Sequence, residues 1–105
     1  MKLYYVYIVN CSDGTYYTGI TSTLEARLAQ HNLGVYRTCY TFSRRPVTLA
    51  WCAEHHEVWD AIGTEKKIKG WSHDKKTALI RGDFEALKEL SHSRISASHP
   101  STSSG

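Results

Sequence analysis

Cysteine is scarce in this 105-residue chain, and long hydrophobic runs are missing from it. Cys11, Cys39 and Cys52 are odd in number and widely spaced, which excludes a disulfide framework and a C-x-x-C zinc knuckle. They read as reduced thiols that behave as small hydrophobes. The apolar stretch at residues 3–9 falls far short of the ~20 residues a membrane span needs. The N-terminus lacks the basic, apolar and small-residue succession of a secretory signal, so a cytoplasmic protein is expected. No G-x-G-x-x-G, Walker loop, G-x-S-x-G or H-E-x-x-H is present, which argues against a nucleotide cofactor, a serine hydrolase and a zincin. Charge of one sign hardly dominates either. Lys and Arg number 13 against 10 Asp and Glu, and a net +3 excludes no class of partner.

The distribution of charge and aromatics says more. Lys66, Lys67, Lys69, Lys75 and Lys76 crowd into eleven residues, and Arg44 adjoins Arg45. Such a basic stripe suits a phosphate backbone, and equally a solvated helix face. Seven of the fifteen residues at 91–105 are Ser, a composition that cannot offset its ordering entropy by burial. One domain is therefore expected at residues 1–90, followed by a disordered Ser-rich tail at 91–105.

Alternating aromatic and β-branched residues predict a strand at 3–9, with Tyr5, Tyr7 and Val9 on one face and Tyr4, Val6 and Ile8 on the other. Asp13-Gly14 suits a hairpin turn into a second strand at 16–20. Ser22 and Glu25 have capping-box spacing ahead of a helix that buries Leu24 and Leu28 and ends near Gly34. Residues 35–46 read as a loop. A third strand is expected at 47–52, with Val47, Leu49 and Trp51 on one face. A helix follows at 58–69, then one at 74–80 capped by Ser72. A short last helix capped by Asp83 turns Phe84, Leu87 and Leu90 inward. The fold class is α+β, a small, mainly antiparallel three-stranded sheet flanked by helices.

Several polar residues stand out against this frame. Glu65 falls on the apolar stripe of its helix, where a carboxylate must be paired or bind a hard cation. Tyr7 and Tyr17 occupy paired strands. They serve as core aromatics, or as phenols that can take a proton from water. Arg27 and His31, four residues apart, share one helix face. Arg27 suits an ion pair or a fork donor to a phosphate oxygen, and His31 could join it. Cys52-x-x-His55-His56, with Cys11 or Cys39 to complete four ligands, is the rival chemistry, a zinc site whose spacing matches no standard module.

The order and spacing of these pieces resemble the GIY-YIG nuclease superfamily, in particular its small stand-alone bacterial members. Tyr5-Val6-Tyr7 stands where the family has Gly-Ile-Tyr. Ten residues on, Tyr17-Thr18-Gly19 stands where it has Tyr-Ile-Gly. Leu24-Glu25-x-Arg27, His31-Asn32, Glu65-Lys66-Lys67-Ile68-Lys69-Gly70-Trp71 and Lys75-Lys76-x-Ala78-Leu79-Ile80 continue the match. Tyr5 and Thr18 depart from the motif letters. Thr64 precedes Glu65 where relatives often have Arg, and Gly63 interrupts that helix.

The resemblance implies a GIY-YIG endonuclease-like fold that hydrolyses DNA phosphodiester bonds with one divalent metal ion, Mg²⁺ or Mn²⁺. It implies Glu65 as the metal ligand, Tyr7 as general base and Tyr17 as the residue that orients water or phosphate. Arg27 would neutralise the scissile phosphate, His31 would be a polar helper, and Gly19 would let backbone or substrate approach. Arg44, Arg45, Lys67 and Lys69 would hold the DNA backbone. With no DNA-binding module fused to the chain, the expected target is a DNA structure rather than a sequence, of the kind met in repair or recombination. RNA is not excluded. The alternative is a non-catalytic nucleic-acid-binding domain that retains the fold.

Overall fold

The computed structural model describes residues 2–97, the last six as backbone only. The elements are β1 (Tyr4–Asn10), β2 (Tyr16–Thr21), α1 (Leu24–Leu33), β3 (Thr48–His55), α2 (Val58–Lys69), α3 (His73–Arg81) and α4 (Phe84–Ala97), with a 3₁₀ turn at Phe42–Arg44. The chain divides into two compact units, one running to Lys69 and the other beginning at Gly70. Among the described residues, no helix is long and apolar enough to cross a membrane.

The first unit is built on an antiparallel sheet of order β2-β1-β3. Central position explains why β1 is the most apolar strand. Val6, Tyr7, Ile8 and Val9 are all fully buried, as expected of a strand covered on both faces. Tyr7 and Val9 gather with Cys11 and Val47, and Tyr17, Leu24 and Leu28 pack against that cluster. α2 packs against all three strands. Each buried Val or Ile contributes about 1.5–3 kcal/mol, so β1 anchors whatever its neighbours carry.

The β1–β2 turn forms as expected. Gly14 takes φ 85° and its amide donates to the Cys11 carbonyl at 3.0 Å, while Asp13 accepts from the Thr15 amide at 3.1 Å. α1 starts one residue later than the capping-box pattern implies. The Thr21 hydroxyl accepts from the Thr23 amide at 3.0 Å, which makes Thr23 the N-cap, and no side-chain cap forms. Gly34 closes α1 in the left-handed conformation at φ 77°, as expected.

β3 departs from strict alternation. Ile8 pairs with Trp51 but Val9 pairs with Leu49, so one extra residue, Ala50, is accommodated there. A bulge of this kind puts Leu49 and Trp51 on opposite faces, where a period of two placed them together.

In the second unit, Ser72 accepts from the Lys75 amide at 3.2 Å and Asp83 from the Ala86 amide at 3.1 Å, so both expected caps form. Phe84 opens α4 but is 68% exposed, so it does not turn inward. α4 continues to Ala97, past the boundary expected at residue 90. No Gly or Pro intervenes before Pro100, and extending a formed helix is far easier than starting one. The rest of the expected tail, residues 98–105, lies outside the described residues.

Candidate active site

Tyr7 is the hub. Its partner in the β1–β2 register is Gly19. A Cβ at Gly19 would lie 2.6 Å from Tyr7 Cζ, so the glycine seats the phenol. The group approaching Gly19 is thus Tyr7 itself, rather than backbone or substrate.

α1 lays His31 and Arg27 over this face. His31 is buried, with Nε2 3.0 Å from the Tyr7 hydroxyl and Nδ1 2.9 Å from Thr41 Oγ1. The Thr41 hydroxyl donates to Cys39 Sγ at 3.4 Å. That uses its single hydrogen, so Thr41 accepts from His31 Nδ1–H. Nε2 then carries the lone pair and accepts from the Tyr7 hydroxyl. A continuous chain runs from Tyr7 through His31 and Thr41 to Cys39.

Aromatic rings enclose that chain. His31 meets Tyr7, Tyr17 and Tyr36 edge to face, with centroids 6.1, 5.6 and 5.3 Å apart. Tyr17 stacks on Tyr40 at 6.4 Å. The Arg27 guanidinium lies 5.3 Å from the Tyr36 ring centre, and its buried Nε has no hydrogen-bond partner.

α2 contributes Glu65, whose side chain is only 12% exposed and pairs with Lys69 Nζ at 2.9 Å. The same ammonium stands 5.6 Å from the centre of the Tyr17 ring. Glu65 therefore joins the site by way of Lys69 and Tyr17.

The electrostatics follow from burial and one cation. Burial raises the Tyr7 pKa above the usual phenol value, and the charge and hydrogen bonding of Arg27 oppose the rise. Tyr17 is raised strongly, by burial first, then by its hydrogen bond to Cys39, with the Glu65 charge adding to the effect. Burial and then the Arg27 charge lower His31, which keeps the imidazole neutral at physiological pH. Burial pushes the Cys39 thiol up, but hydrogen bonds from Thr41, Tyr17 and the Tyr40 amide outweigh it and leave the pKa lowered.

Tyr7, Tyr17, Arg27 and His31 thus meet in one cluster, with Glu65 connected to it. The basic residues part company. Arg44 donates to Asp13 at 3.0 Å and to the Tyr40 carbonyl at 2.9 Å, and lies 3.8 Å from the Tyr40 ring centre. Arg45 donates to the Phe42 carbonyl at 2.7 Å and lies 4.4 Å from the centre of that ring. Both hold the loop in place. Lys67 and Lys69 are exposed on α2. Lys75 is buried, 4.4 Å from the Trp71 ring centre, so the stripe read along the sequence is not one solvated face. Among the described residues, no three His, Cys, Asp or Glu side chains gather as a metal cluster, and the Cys52-x-x-His55-His56 site is not assembled.

Tyr36, Tyr40 and Thr41 line the site without having been singled out in the sequence, and Cys39, read there as a reduced thiol, joins them. Three aromatics within residues 36–42 were the available signal, since a merely solvated loop has little use for them.

The GIY-YIG catalytic domain model matches residues 3–78. A UPF0213 protein of Syntrophus aciditrophicus is 43% identical over 91 residues, 83% of this chain and 100% of the relative. One of Halobacterium salinarum is 42% identical over 78 residues, 74% of this chain and 100% of the relative. The solution NMR structure of the UPF0213 protein BH0048 from Bacillus halodurans is 33% identical with a TM-score of 0.50, covering 85% of this chain and 97% of that one. The NMR structure of protein EF2693 from E. faecalis has a TM-score of 0.53 at 24% identity, covering 97% of each chain, and is similar in fold.

Proposed function

The chain belongs to the GIY-YIG catalytic-domain family, and on that premise we propose that it is a divalent-metal-dependent endonuclease acting on DNA phosphodiester bonds. The observation that carries this reading is the buried Tyr7–His31–Thr41 chain beside Arg27. Tyr7 alone is a poor base, because burial disfavours its phenolate. Neutral His31 corrects this. As a water molecule loses its proton to the Tyr7 oxygen, the Tyr7 proton passes to Nε2, and Thr41 keeps Nδ1–H in place throughout. Arg27 is the positive charge next to the phenol, and its buried, unpartnered Nε becomes a donor to a phosphate oxygen once the side chain shifts toward it.

Glu65 fits a hard divalent ion. It is one sheltered carboxylate that already attracts a cation, and Mg²⁺ or Mn²⁺ needs few protein oxygens because it keeps several waters. Such an ion would supply Lewis-acid stabilisation of the charge that develops on the phosphate. Lys67 and Lys69 offer backbone contact rather than base readout, which favours a structural target such as a flap or branch over a sequence.

One observation favours a second reading. Tyr7 is fully buried, so the hydroxyl meets water only when a neighbour such as Arg27 or Tyr36 shifts as the phosphate enters. Were no such shift to occur, the domain would bind nucleic acid without cutting it. Incubation with nicked, flapped and branched DNA and Mg²⁺ or Mn²⁺ separates the two. Cutting lost in Glu65→Ala and in a folded Arg27→Ala supports catalysis, and binding without cutting on every substrate supports the second.

A further inference from the structure

We propose that Lys69 is a built-in stand-in for the divalent cation, holding the Glu65 carboxylate until an ion displaces it. The inference rests on the metal-dependent reading above. A carboxylate sheltered to 12% exposure needs charge compensation before any ion arrives, and the ammonium at 2.9 Å provides it. The Glu-to-Lys spacing of four on one helix is what puts the ammonium within reach of that oxygen.

The same pair is built to come apart. Lys69 is 52% exposed on a flexible four-carbon stem at the last residue of α2, so its head can swing into water. Its second contact, over the Tyr17 ring at 5.6 Å, is the weaker one. Ammonium and divalent ion compete for one carboxylate, and each repels the other. Lys69 therefore weakens ion binding in the free protein. An ion that binds Glu65 releases a lysine beside Tyr17 for a phosphate oxygen. Ion binding and nucleic-acid binding reinforce each other through this one side chain.

The test is Mn²⁺ affinity of the full chain without DNA, read from the electron paramagnetic resonance of the free ion. Lys69→Met should bind Mn²⁺ about fivefold more tightly than wild type. Lys69→Arg should stay near wild type, and Glu65→Gln should remove the site in both backgrounds. Lys69→Gln replaces the Met variant should that one lose its fold. Equal affinity in wild type and Lys69→Met, both dependent on Glu65, overturns the role of Lys69 and leaves the metal reading standing. So does equal tightening by Met and Arg. Absence of any Glu65-dependent binding overturns both.

Discussion

His31 links the chemistry of the site to its stability. Its pKa lies below the ordinary 6.5 because burial and the Arg27 charge disfavour the imidazolium. In the unfolded chain the imidazole returns to the ordinary value. Between the two values the unfolded chain binds more protons, so stability falls as pH drops below about 6.5 and levels off once the folded-state value is passed. Urea midpoints taken between about pH 5 and 7.5 should show this loss in wild type and a flatter profile in His31→Gln. Equal slopes would mean that His31 titrates normally. The two raised tyrosines act at the other end. Tyr7 and Tyr17 stay protonated in the fold while the unfolded phenols ionise near 10, so stability should also fall as pH climbs above that value. Both tyrosines stood out in the sequence on paired strands, and the resemblance implied open space at Gly19. The partner that needs the space was not, because it depends on strand register. Nor was the His31–Thr41 bond, which joins residues from a helix and an irregular loop.

At the scale of elements, α2 contains an avoidable weakness. Gly63 lies inside the helix, is exposed, and has nothing within 4 Å of where a Cβ would stand. Gly63→Ala should therefore stabilise the protein by about 1 kcal/mol, seen as a higher urea midpoint with an unchanged slope. A loss of stability would show that the glycine is needed for a conformation other than helix. The bounds of α2 were legible from its periodicity, and so were the left-handed end at Gly34 and the Ser72 cap, because each depends on neighbours in sequence. What escaped depends on distant partners. The bulge in β3 follows from pairing with β1, and the start of α1 follows from the Thr21 hydroxyl. The loop at 35–46 is pinned by Arg44 to Asp13, and Asn32 accepts from the Val47 amide at 2.7 Å and donates to its carbonyl at 2.9 Å. These contacts turn a segment with little regular structure into the wall of the site.

For the whole molecule, the matched region extends from residue 3 to residue 78, so it takes in the first unit and part of the second. The candidate chemistry lies entirely in the first unit. Within it Tyr7, Tyr17, Arg27 and His31 meet in one cluster, and Glu65 reaches that cluster through Lys69 and Tyr17. The most direct measurement is the rate at which the intact chain cuts nicked, flapped and branched DNA with Mg²⁺ or Mn²⁺, compared with Tyr7→Phe. The variant keeps the ring that fills the space beside Gly19 and loses only the hydroxyl bonded to His31. It should remain folded and cut about 100-fold or more slowly. A folded Tyr7→Phe that cuts at the wild-type rate, or a wild type that cuts none of these substrates, would contradict the assignment.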